Sequence, residues 1–266
     1  MNKPLWQPSL QKKENSLLKD FSKFIGLNFK SFQDIWKWSI ENPEIFWSKF
    51  WDYSNIIGDK GEEVIQTNKI FYKTKFFPHA RLNYSENILK KKSKQIAIGF
   101  MSENGYEESI SWNDLYKKVC KFSSYLKDLN LKKGDRVAAY VPNKIESIIS
   151  FLACAKNGII WSSCSPDFGV QGAVNRFKQI KPKILICCDY YFYNGKKINI
   201  LERLKEILNK VPSIVKVVVI PYPGTEIEKK IKLKIASYQW SEIINLREKK
   251  NKINFTISNF NDPLAI

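Results

Sequence analysis

The sequence has one histidine and five cysteines, and both scarcities exclude kinds of sites. The cysteines form no C-x-x-C pair, and the two adjacent ones have poor geometry for ligands of a single zinc ion. Because His79 is the sole histidine, little remains for a Cys/His metal site. The odd number and irregular spacing of the cysteines also disfavour a disulfide framework and indicate a reducing compartment. The five are Cys120, Cys154, Cys164, Cys187 and Cys188.

Membrane signals and common catalytic motifs are missing too. The N-terminus, MNKPLWQPSLQKKEN, has no apolar signal-peptide core, and no run approaches the roughly 18 apolar residues of a membrane helix. We therefore expect a cytoplasmic protein. The sequence has no G-x-x-x-x-G-K-[ST] phosphate loop, no G-x-G-x-x-G dinucleotide motif and no G-x-S-x-G hydrolase motif. None of these common motifs therefore indicates a reaction.

The chain is strongly basic, because 44 Lys and Arg residues against 26 Asp and Glu residues give a formal net charge of +18. Such a charge can serve binding to nucleic acid, to an anionic membrane or to a phosphorylated substrate. The excess is mostly scattered lysine, with only five arginines, which is typical of a compositional bias. We expect small-molecule substrates as partners, and neither nucleic acid nor membrane. A nucleic-acid-binding module with stacking aromatic side chains stays open as an alternative.

The N-terminal region is rich in tryptophan, with five of the eight tryptophans in the first 51 residues. The segment SFQDIWKWSIENPEIFWSKFWDY places apolar residues at helical spacing on both sides of Asn42-Pro43. This predicts two short helices whose aromatic faces pack against a larger body, and a third short helix near residues 84–89. The lysine run at 90–92 predicts a boundary between a helical region, 1–92, and a second domain, 93–266. The residues of the two faces are Phe32, Ile35, Trp36, Phe46, Trp47, Phe50 and Trp51.

Beyond residue 95, apolar strands alternate with amphipathic helices. Helices are predicted from a Ser-x-x-Asp start at Ser111, from Pro142-Asn143 with Ile148 facing inward, near 170–179 and over 198–209. This alternation predicts an α/β fold with a doubly wound parallel sheet that is covered on both faces. The predicted strands cover 96–100, 106–110, 136–141, 159–163, 183–188 and 215–220.

The stretch GIIWSSCSPDFGVQG places small polar residues where one of these strands ends. Ligands of open α/β sheets bind beyond the carboxyl ends of the strands, so this stretch is a candidate ligand edge. Cys164 as a nucleophile would need a base, and nothing in the sequence places His79 beside it. The residues alone therefore predict a basic α/β domain with a ligand edge and no assigned reaction.

The chain resembles the acetoacetyl-CoA synthetases (acetoacetate–CoA ligases) of the adenylate-forming acyl-CoA synthetase superfamily. The stretch WSSCSPDFGVQGAVNRFKQIKPKIL carries the resemblance most strongly, and further segments follow the family in order along nearly the whole chain. Ser165-Pro166-Asp167 favour the acetoacetyl branch, because the acetyl branch tends to carry Phe-Gly-Gly there. An acetyl- or propionyl-CoA synthetase, or a non-catalytic protein built from part of a synthetase, stays open. The further segments are LWQPS, WKWSIENPEIFWSKFWDY, FFPHARLNYSENIL, LKKGDRVAAYVPN and YYFYNGKK.

The resemblance implies a ligase of lipid and ketone-body metabolism that uses ATP, Mg²⁺ and coenzyme A. The carboxylate of acetoacetate attacks the α-phosphate of ATP, and the thiol of coenzyme A then displaces AMP from the acyl-adenylate. The final residues 262–266, DPLAI, resemble the start of a buried strand that the family's phosphate loop would follow. We therefore expect an incomplete sheet and an N-terminal fragment, with the ATP and Mg²⁺ sites mostly outside this chain. The oligomeric state is not predicted.

The resemblance also implies coenzyme A contacts at two places. The turn Tyr193-Asn194-Gly195-Lys196 matches the position where the acetyl branch grips the nucleotide phosphate with two arginines. Lys196 stands for one arginine as a point charge, and Tyr193, in place of the other, allows adenine stacking. Ser165, Pro166 and Asp167 would line the path of the pantetheine arm. The alternatives are a solvated Lys196 and an Asp167 that caps the helix near residue 170.

We expect the purified chain to release no pyrophosphate from acetoacetate and ATP. In the family, the phosphate loop and a lysine of a C-terminal domain hold the phosphate charge during adenylation, and this sequence contains neither. A coupled pyrophosphate assay with acetoacetate, ATP and Mg²⁺ measures the rate. A rate above that of a heat-denatured sample would contradict the expectation.

Overall fold

The computed structural model describes residues 5–222, 233–245 and 254–266. The chain divides into two compact units. The first comprises Met1–Leu82 and Asn259–Asn261, and the second comprises Asn83–Ser258 and Asp262–Ile266. The predicted domain boundary at 92 and 93 stays a prediction.

The first unit is a helical region with short strands. Ser31 starts its third helix with a capping box, because its hydroxyl accepts from the Asp34 N–H while the Asp34 carboxylate accepts from the Ser31 N–H. Pro43 occupies the first turn of the fourth helix, so the predicted break at Asn42-Pro43 is confirmed. The elements are α1 (Leu10–Glu14), α2 (Leu17–Phe24), α3 (Phe32–Glu41), α4 (Pro43–Tyr53), β1 (Gly58–Asp59), β2 (Ile65–Gln66), β3 (Lys75–Phe76) and β4 (Arg81–Leu82).

The aromatic residues of the first unit pack on one side only. Phe21 is buried, with ring centroids 5.1 Å from Tyr53 and 5.9 Å from Phe50, and Trp51 packs against Phe77 at 4.9 Å. Trp47 and Phe50 are partly exposed but pack against Phe46, whereas Phe32 and Trp36 are more than half exposed. The two helices form as predicted, but the predicted packing of the aromatic faces is wrong for Phe32 and Trp36.

The second unit carries the alternating strands and helices. Ser111 caps its longest helix through the Asp114 N–H, as its Ser-x-x-Asp sequence predicts. The elements are α5 (Tyr84–Ile88), β5 (Ile96–Met101), β6 (Glu107–Ser111), α6 (Trp112–Asp128), β7 (Arg136–Tyr140), α7 (Ile145–Lys156), β8 (Ile160–Cys164), α8 (Gly169–Ile180), β9 (Ile184–Cys188), β10 (Tyr190–Tyr193), β11 (Lys196–Asn199), α9 (Leu201–Lys210), β12 (Lys216–Ile220), β13 (Ala236–Gln239) and α10 (Trp240–Asn245). A last strand, β14 (Ser258–Asn259), includes one residue of each unit.

The centre of the second unit is a five-stranded parallel sheet in the order β13-β12-β9-β7-β8. Alternate residues of each strand enter two separate cores. Val137 and Ala139 of β7 face the core that contains α6, α7 and α10, whereas Ala138 and Tyr140 face the core with α8 and α9. The sheet is therefore doubly wound, as the alternating pattern predicts.

Two features of this unit differ from the sequence-based expectations. Residues 198 and 199, which were expected to begin a helix, belong instead to β11 (Lys196–Asn199), which pairs antiparallel with β10. The Asn194-Gly195 turn between these strands is a hairpin signal that explains the difference. Ile148, which was expected to face inward from α7, is 43% exposed.

Residues 262–266 lie beside the outer edge of β8. The Trp161 N–H donates to the Leu264 carbonyl at 3.1 Å, and the Ile266 N–H donates to the Trp161 carbonyl at 2.9 Å. The bridge between Trp161 and Ala265 is parallel, so the predicted strand-like pairing occurs. Ile266 is 64% exposed, however, so the expected burial of this residue is not observed.

No helix within the described ranges is long and apolar enough to span a membrane.

Candidate functional site

A cleft of about 660 Å³ lies at the carboxyl ends of the parallel strands of the second unit. Val141 and Pro142 follow β7 on one wall, and Ser163, Cys164 and Ser165 end and follow β8 on another. The connection after β7 leads to α7 on one face of the sheet, and the connection after β9 leads to α9 on the other. The cleft therefore lies at the switch point of the winding, where open α/β sheets bind their ligands.

The lining of the cleft is polar and aromatic. Among the residues that the structure describes, the twenty that line the cleft include no lysine, arginine or histidine, and the two carboxylic acids among them are Glu103 and Asp167. Hydroxyl groups and aromatic rings supply most of the remaining contacts. Such a surface disfavours a phosphate group and suits a neutral chain that carries amide groups. Prominent among these lining residues are Ser147, Ser163, Phe151, Trp161, Tyr193 and Tyr222.

The Ser165–Phe168 segment forms a tight turn rather than a helix cap. The Ser165 hydroxyl accepts from the Asp167 N–H and donates to Asp167 Oδ2 at 2.7 Å. Helix α8 begins with no side-chain cap, so the interpretation of Asp167 as its cap is wrong. The carboxylate is engaged by Ser165 on one oxygen and by a tyrosine on the other.

That tyrosine is Tyr191 of β10, whose hydroxyl donates to Asp167 Oδ1 at 2.8 Å. Burial, followed by the hydrogen bond to Asp167, raises the pKa of Tyr191 to about 12. At neutral pH the phenol therefore keeps its proton and donates it to the carboxylate. This bond ties the turn after β8 to the hairpin after β9.

Pro166 is buried within the turn and is not among the residues that line the cleft. Its carbonyl accepts from the Tyr140 hydroxyl at 2.8 Å and from Arg203 Nη1 at 2.9 Å. Because Tyr140 ends β7 and Arg203 belongs to α9, two elements hold the turn from below. Pro166 therefore supports the turn through its carbonyl, and its predicted contact with the pantetheine arm stays a prediction.

The β10–β11 hairpin carries the remaining predicted contacts. Tyr193 pairs with Lys196, and the two residues between them have positive φ angles of 50° at Asn194 and 71° at Gly195. These angles are typical of a two-residue hairpin turn and explain the glycine. Tyr193 lines the cleft, whereas Asn194, Gly195 and Lys196 lie outside its lining. The structure thus brings Ser165, Asp167 and Tyr193 together in one cleft.

The thiols are not arranged for nucleophilic chemistry. Cys164 lines the cleft but is only 3% exposed, and burial raises the pKa of its thiol. Burial also raises the pKa values of Cys154, Cys187 and Cys188. High pKa values keep these groups as thiols, which are poor nucleophiles and metal ligands. Within the described parts of the chain, no group of three or more His, Cys, Asp or Glu residues could hold a metal ion.

Several residues of the site were not foreseen. Glu103, in the turn between β5 and β6, accepts from the Gly195 N–H at 3.2 Å. Asp189, between β9 and β10, is buried, and its Oδ1 accepts from the N–H groups of Tyr190 and Tyr222 at 2.7 Å each. Asp189 could have been noticed in the sequence, because it directly follows an apolar strand. Its hydrogen bond with the Tyr222 N–H could not be predicted, because the two residues are 33 positions apart.

Comparison with known proteins agrees with this geometry. The model of the AMP-binding enzyme family matches residues 86–254, more than half of the chain. The chain belongs to the AMP-binding enzyme family. The match covers all five strands of the parallel sheet and nineteen of the twenty residues that line the cleft, Ala265 being the exception.

Among its relatives, this AMP-binding enzyme is similar to acetoacetyl-coenzyme A synthetase of Rhizobium meliloti (strain 1021), with 37% identity over 226 residues. It is 36% identical to acetoacetyl-CoA synthetase of Macaca fascicularis. The matches cover 84% and 82% of this chain, but 34% and 33% of the relatives. The chain therefore spans about a third of the length of the curated relatives it matches.

The fold of this AMP-binding enzyme also matches a solved structure, that of acetoacetyl-CoA synthetase from Streptomyces lividans. The TM-score is 0.87 at 24% identity, and the match covers 99% of this chain and 41% of the other. This likeness establishes the fold, a doubly wound parallel sheet that follows a helical N-terminal region.

Proposed function

We propose that the chain is the coenzyme A-binding part of an ATP-dependent ligase that joins acetoacetate to coenzyme A through an acyl-adenylate. The observation that carries the proposal is the cleft at the carboxyl ends of β7, β8 and β9, whose described lining residues include no lysine, arginine or histidine. The pantetheine arm of coenzyme A is a neutral chain with two amide groups. It matches such a lining better than a nucleotide phosphate does.

In this proposal the pantetheine arm runs along Ser165 and Asp167. The Tyr191 hydroxyl, the Ser165 hydroxyl and the Asp167 carboxylate form one hydrogen-bonded group, so Asp167 is already engaged from two sides. Its carboxylate can still accept a bond from an amide N–H of the arm. The role of these side chains is to position the arm and its thiol, and they transfer no proton.

The nucleotide end of coenzyme A is proposed to lie outside the cleft, at the β10–β11 turn. Lys196 follows this turn, and Tyr193 offers an exposed ring at the rim. The lysine would contact the 3′-phosphate as a point charge, and the tyrosine would stack on the adenine. The negative phosphate is thereby kept away from Asp167, which lies in the cleft.

The ATP-dependent step is not assigned to the described residues. They contain no group of three metal-ligating side chains, so no Mg²⁺ contact is derived from them. When bound, ATP and Mg²⁺ would supply the activated phosphate for the acyl-adenylate. We also propose that this chain alone does not form the acyl-adenylate and that the protein is cytoplasmic.

The choice of acetoacetate depends on the relatives. Seven relatives at 34–37% identity are named acetoacetyl-CoA synthetases, and one from Penicillium aethiopicum at 35% identity is named malonamoyl-CoA synthetase. Acetoacetyl and malonamoyl groups share a second carbonyl two carbons from the activated one. We therefore infer a short acid with a carbonyl at its third carbon as the substrate class, ahead of acetate or propionate.

The test is direct binding of coenzyme A to the purified chain, measured by isothermal titration calorimetry. Replacing Lys196 with alanine should weaken coenzyme A binding about three- to tenfold, because one exposed charge contact is lost. The same change should leave 3′-dephospho-coenzyme A unaffected, since that molecule lacks the phosphate.

Lys117→Ala is the matched control, because Lys117 is an exposed lysine on α6 that pairs with Asp114. Equal coenzyme A affinity in the wild type and Lys196→Ala would contradict the phosphate assignment. A wild-type chain that binds no coenzyme A would overturn the proposed function as a whole.

A further inference from the structure

The tip of the β10–β11 hairpin exposes a backbone donor that the hairpin itself cannot satisfy. Residues 193 and 196 pair with each other, so the N–H of Gly195, inside the two-residue turn, points away from the ladder. A backbone N–H that lies outside the ladder and next to a lysine is a good anion-binding arrangement, because both groups attract negative charge. In the structure this N–H donates to Glu103 Oε2 at 3.2 Å.

Glu103 reaches this N–H from a separate hairpin. It lies in the turn between β5 and β6, where the Ser102 N–H donates to the Tyr106 carbonyl at 2.9 Å and the Gly105 N–H donates to the Ser102 carbonyl at 3.0 Å. The backbone of the turn that carries Glu103 is thus held by its own hydrogen bonds. Glu103 and Gly195 are 92 residues apart in sequence, so the contact is tertiary.

The Glu103 carboxylate therefore occupies the position that an anionic ligand at this turn would take. Two anions cannot share one exposed N–H, and like charges at such distances repel. Glu103 also lines the cleft, so the repulsion acts at the rim, between the proposed arm site and Lys196.

We propose that Glu103 is a specificity-determining residue that competes with a ligand phosphate for the Gly195 N–H. This inference rests on the proposed function, because the phosphate considered is the 3′-phosphate of coenzyme A. The tethered carboxylate lowers the affinity of the turn for every anion. Only a ligand that is also anchored in the cleft can displace it. Free inorganic phosphate is thereby kept from the site.

The test compares the chain with its Glu103→Gln variant by calorimetry with coenzyme A and 3′-dephospho-coenzyme A. The glutamine keeps the size and the acceptor oxygen but removes the charge. We expect coenzyme A to bind roughly three- to tenfold more tightly to the variant, with 3′-dephospho-coenzyme A unchanged. Glu107→Gln, at an exposed position of β6 that is not among the cleft-lining residues, makes the same charge change and should alter neither affinity.

The outcomes separate this inference from the proposed function. Binding of coenzyme A by the wild type, with no gain or a loss in Glu103→Gln, rejects the competition and leaves the coenzyme A site standing. An equal gain for both ligands rejects the phosphate as the competitor. No binding by either chain rejects both proposals. Independently, the Gly195 amide resonance should shift in a ¹H–¹⁵N spectrum of Glu103→Gln, and an unmoved resonance would show that the contact is absent.

Discussion

Replacing Phe122 with alanine should lower the free energy of unfolding by about 3–5 kcal/mol. Phe122 is fully buried on the inner face of α6, where its ring centroid lies 4.8 Å from that of Trp240 in α10 and 5.9 Å from that of Tyr125. Truncation leaves a cavity between α6 and α10 that neighbouring side chains fill only in part. The loss therefore includes both the transfer of the ring to water and the cavity.

Urea denaturation followed by circular dichroism measures this loss. Phe122→Leu should cost less than about 1.5 kcal/mol, because it keeps most of the buried volume. Phe168→Ala is the exposed control: Phe168 is 55% exposed and contacts the Arg176 guanidinium, so its removal should cost no more than about 1 kcal/mol. Equal losses at positions 122 and 168 would contradict the assignment of Phe122 to the core.

Replacing Asp189 with alanine should lower the free energy of unfolding by about 2–4 kcal/mol. The Asp189 carboxylate is buried and accepts from the N–H of Tyr190 and from the N–H of Tyr222, each at 2.7 Å. Alanine leaves both donors in a region that water does not reach. Because Tyr190 follows β9 and Tyr222 follows β12, one side chain joins the ends of two neighbouring strands.

Asp189→Asn is the matched variant, since an amide oxygen can still accept from both N–H groups. We expect it to lose less than half as much stability as Asp189→Ala, in the same urea titration. If alanine and asparagine cost the same, the two hydrogen bonds do not account for the role of Asp189. The main-chain bonds of Asp189, to Ile220 and Ile200, persist in both variants and so do not affect the comparison.

The parallel sheet could be predicted because its strands are recognisable one at a time. Strand β9 is buried at every residue, and so is β12 after Lys216, and runs of this kind occur where helices cover both faces of a sheet. The Ser-x-x-Asp start of α6 is equally local, since Ser111 and Asp114 bond each other. The order of the strands could not be predicted, because it depends on pairings between distant segments.

The candidate site was predicted less completely for the same reason. The end of a predicted strand identifies Ser165 and Asp167 as candidates, but the geometry of their turn depends on distant residues. Tyr191 lies 24 residues beyond its partner Asp167, and Arg203 lies 37 residues beyond its partner Pro166. The interpretation of Asp167 as a helix cap was wrong because its carboxylate accepts from the hydroxyls of Ser165 and Tyr191 and not from the first N–H groups of α8. Glu103 gave no signal at all, since only the folded chain brings it to Gly195.

The pairing of residues 264–266 with β8 has a consequence for how the chain folds during synthesis. Strands β7, β8, β9 and β12 are complete by residue 220, and they can associate as soon as they have emerged from the ribosome. The outer edge of β8 at Trp161 acquires its partner only after Ala265 has been made. Until then the nascent sheet presents backbone groups that could pair with another chain. The interval between these two events is the period in which a chaperone would be most useful to this protein.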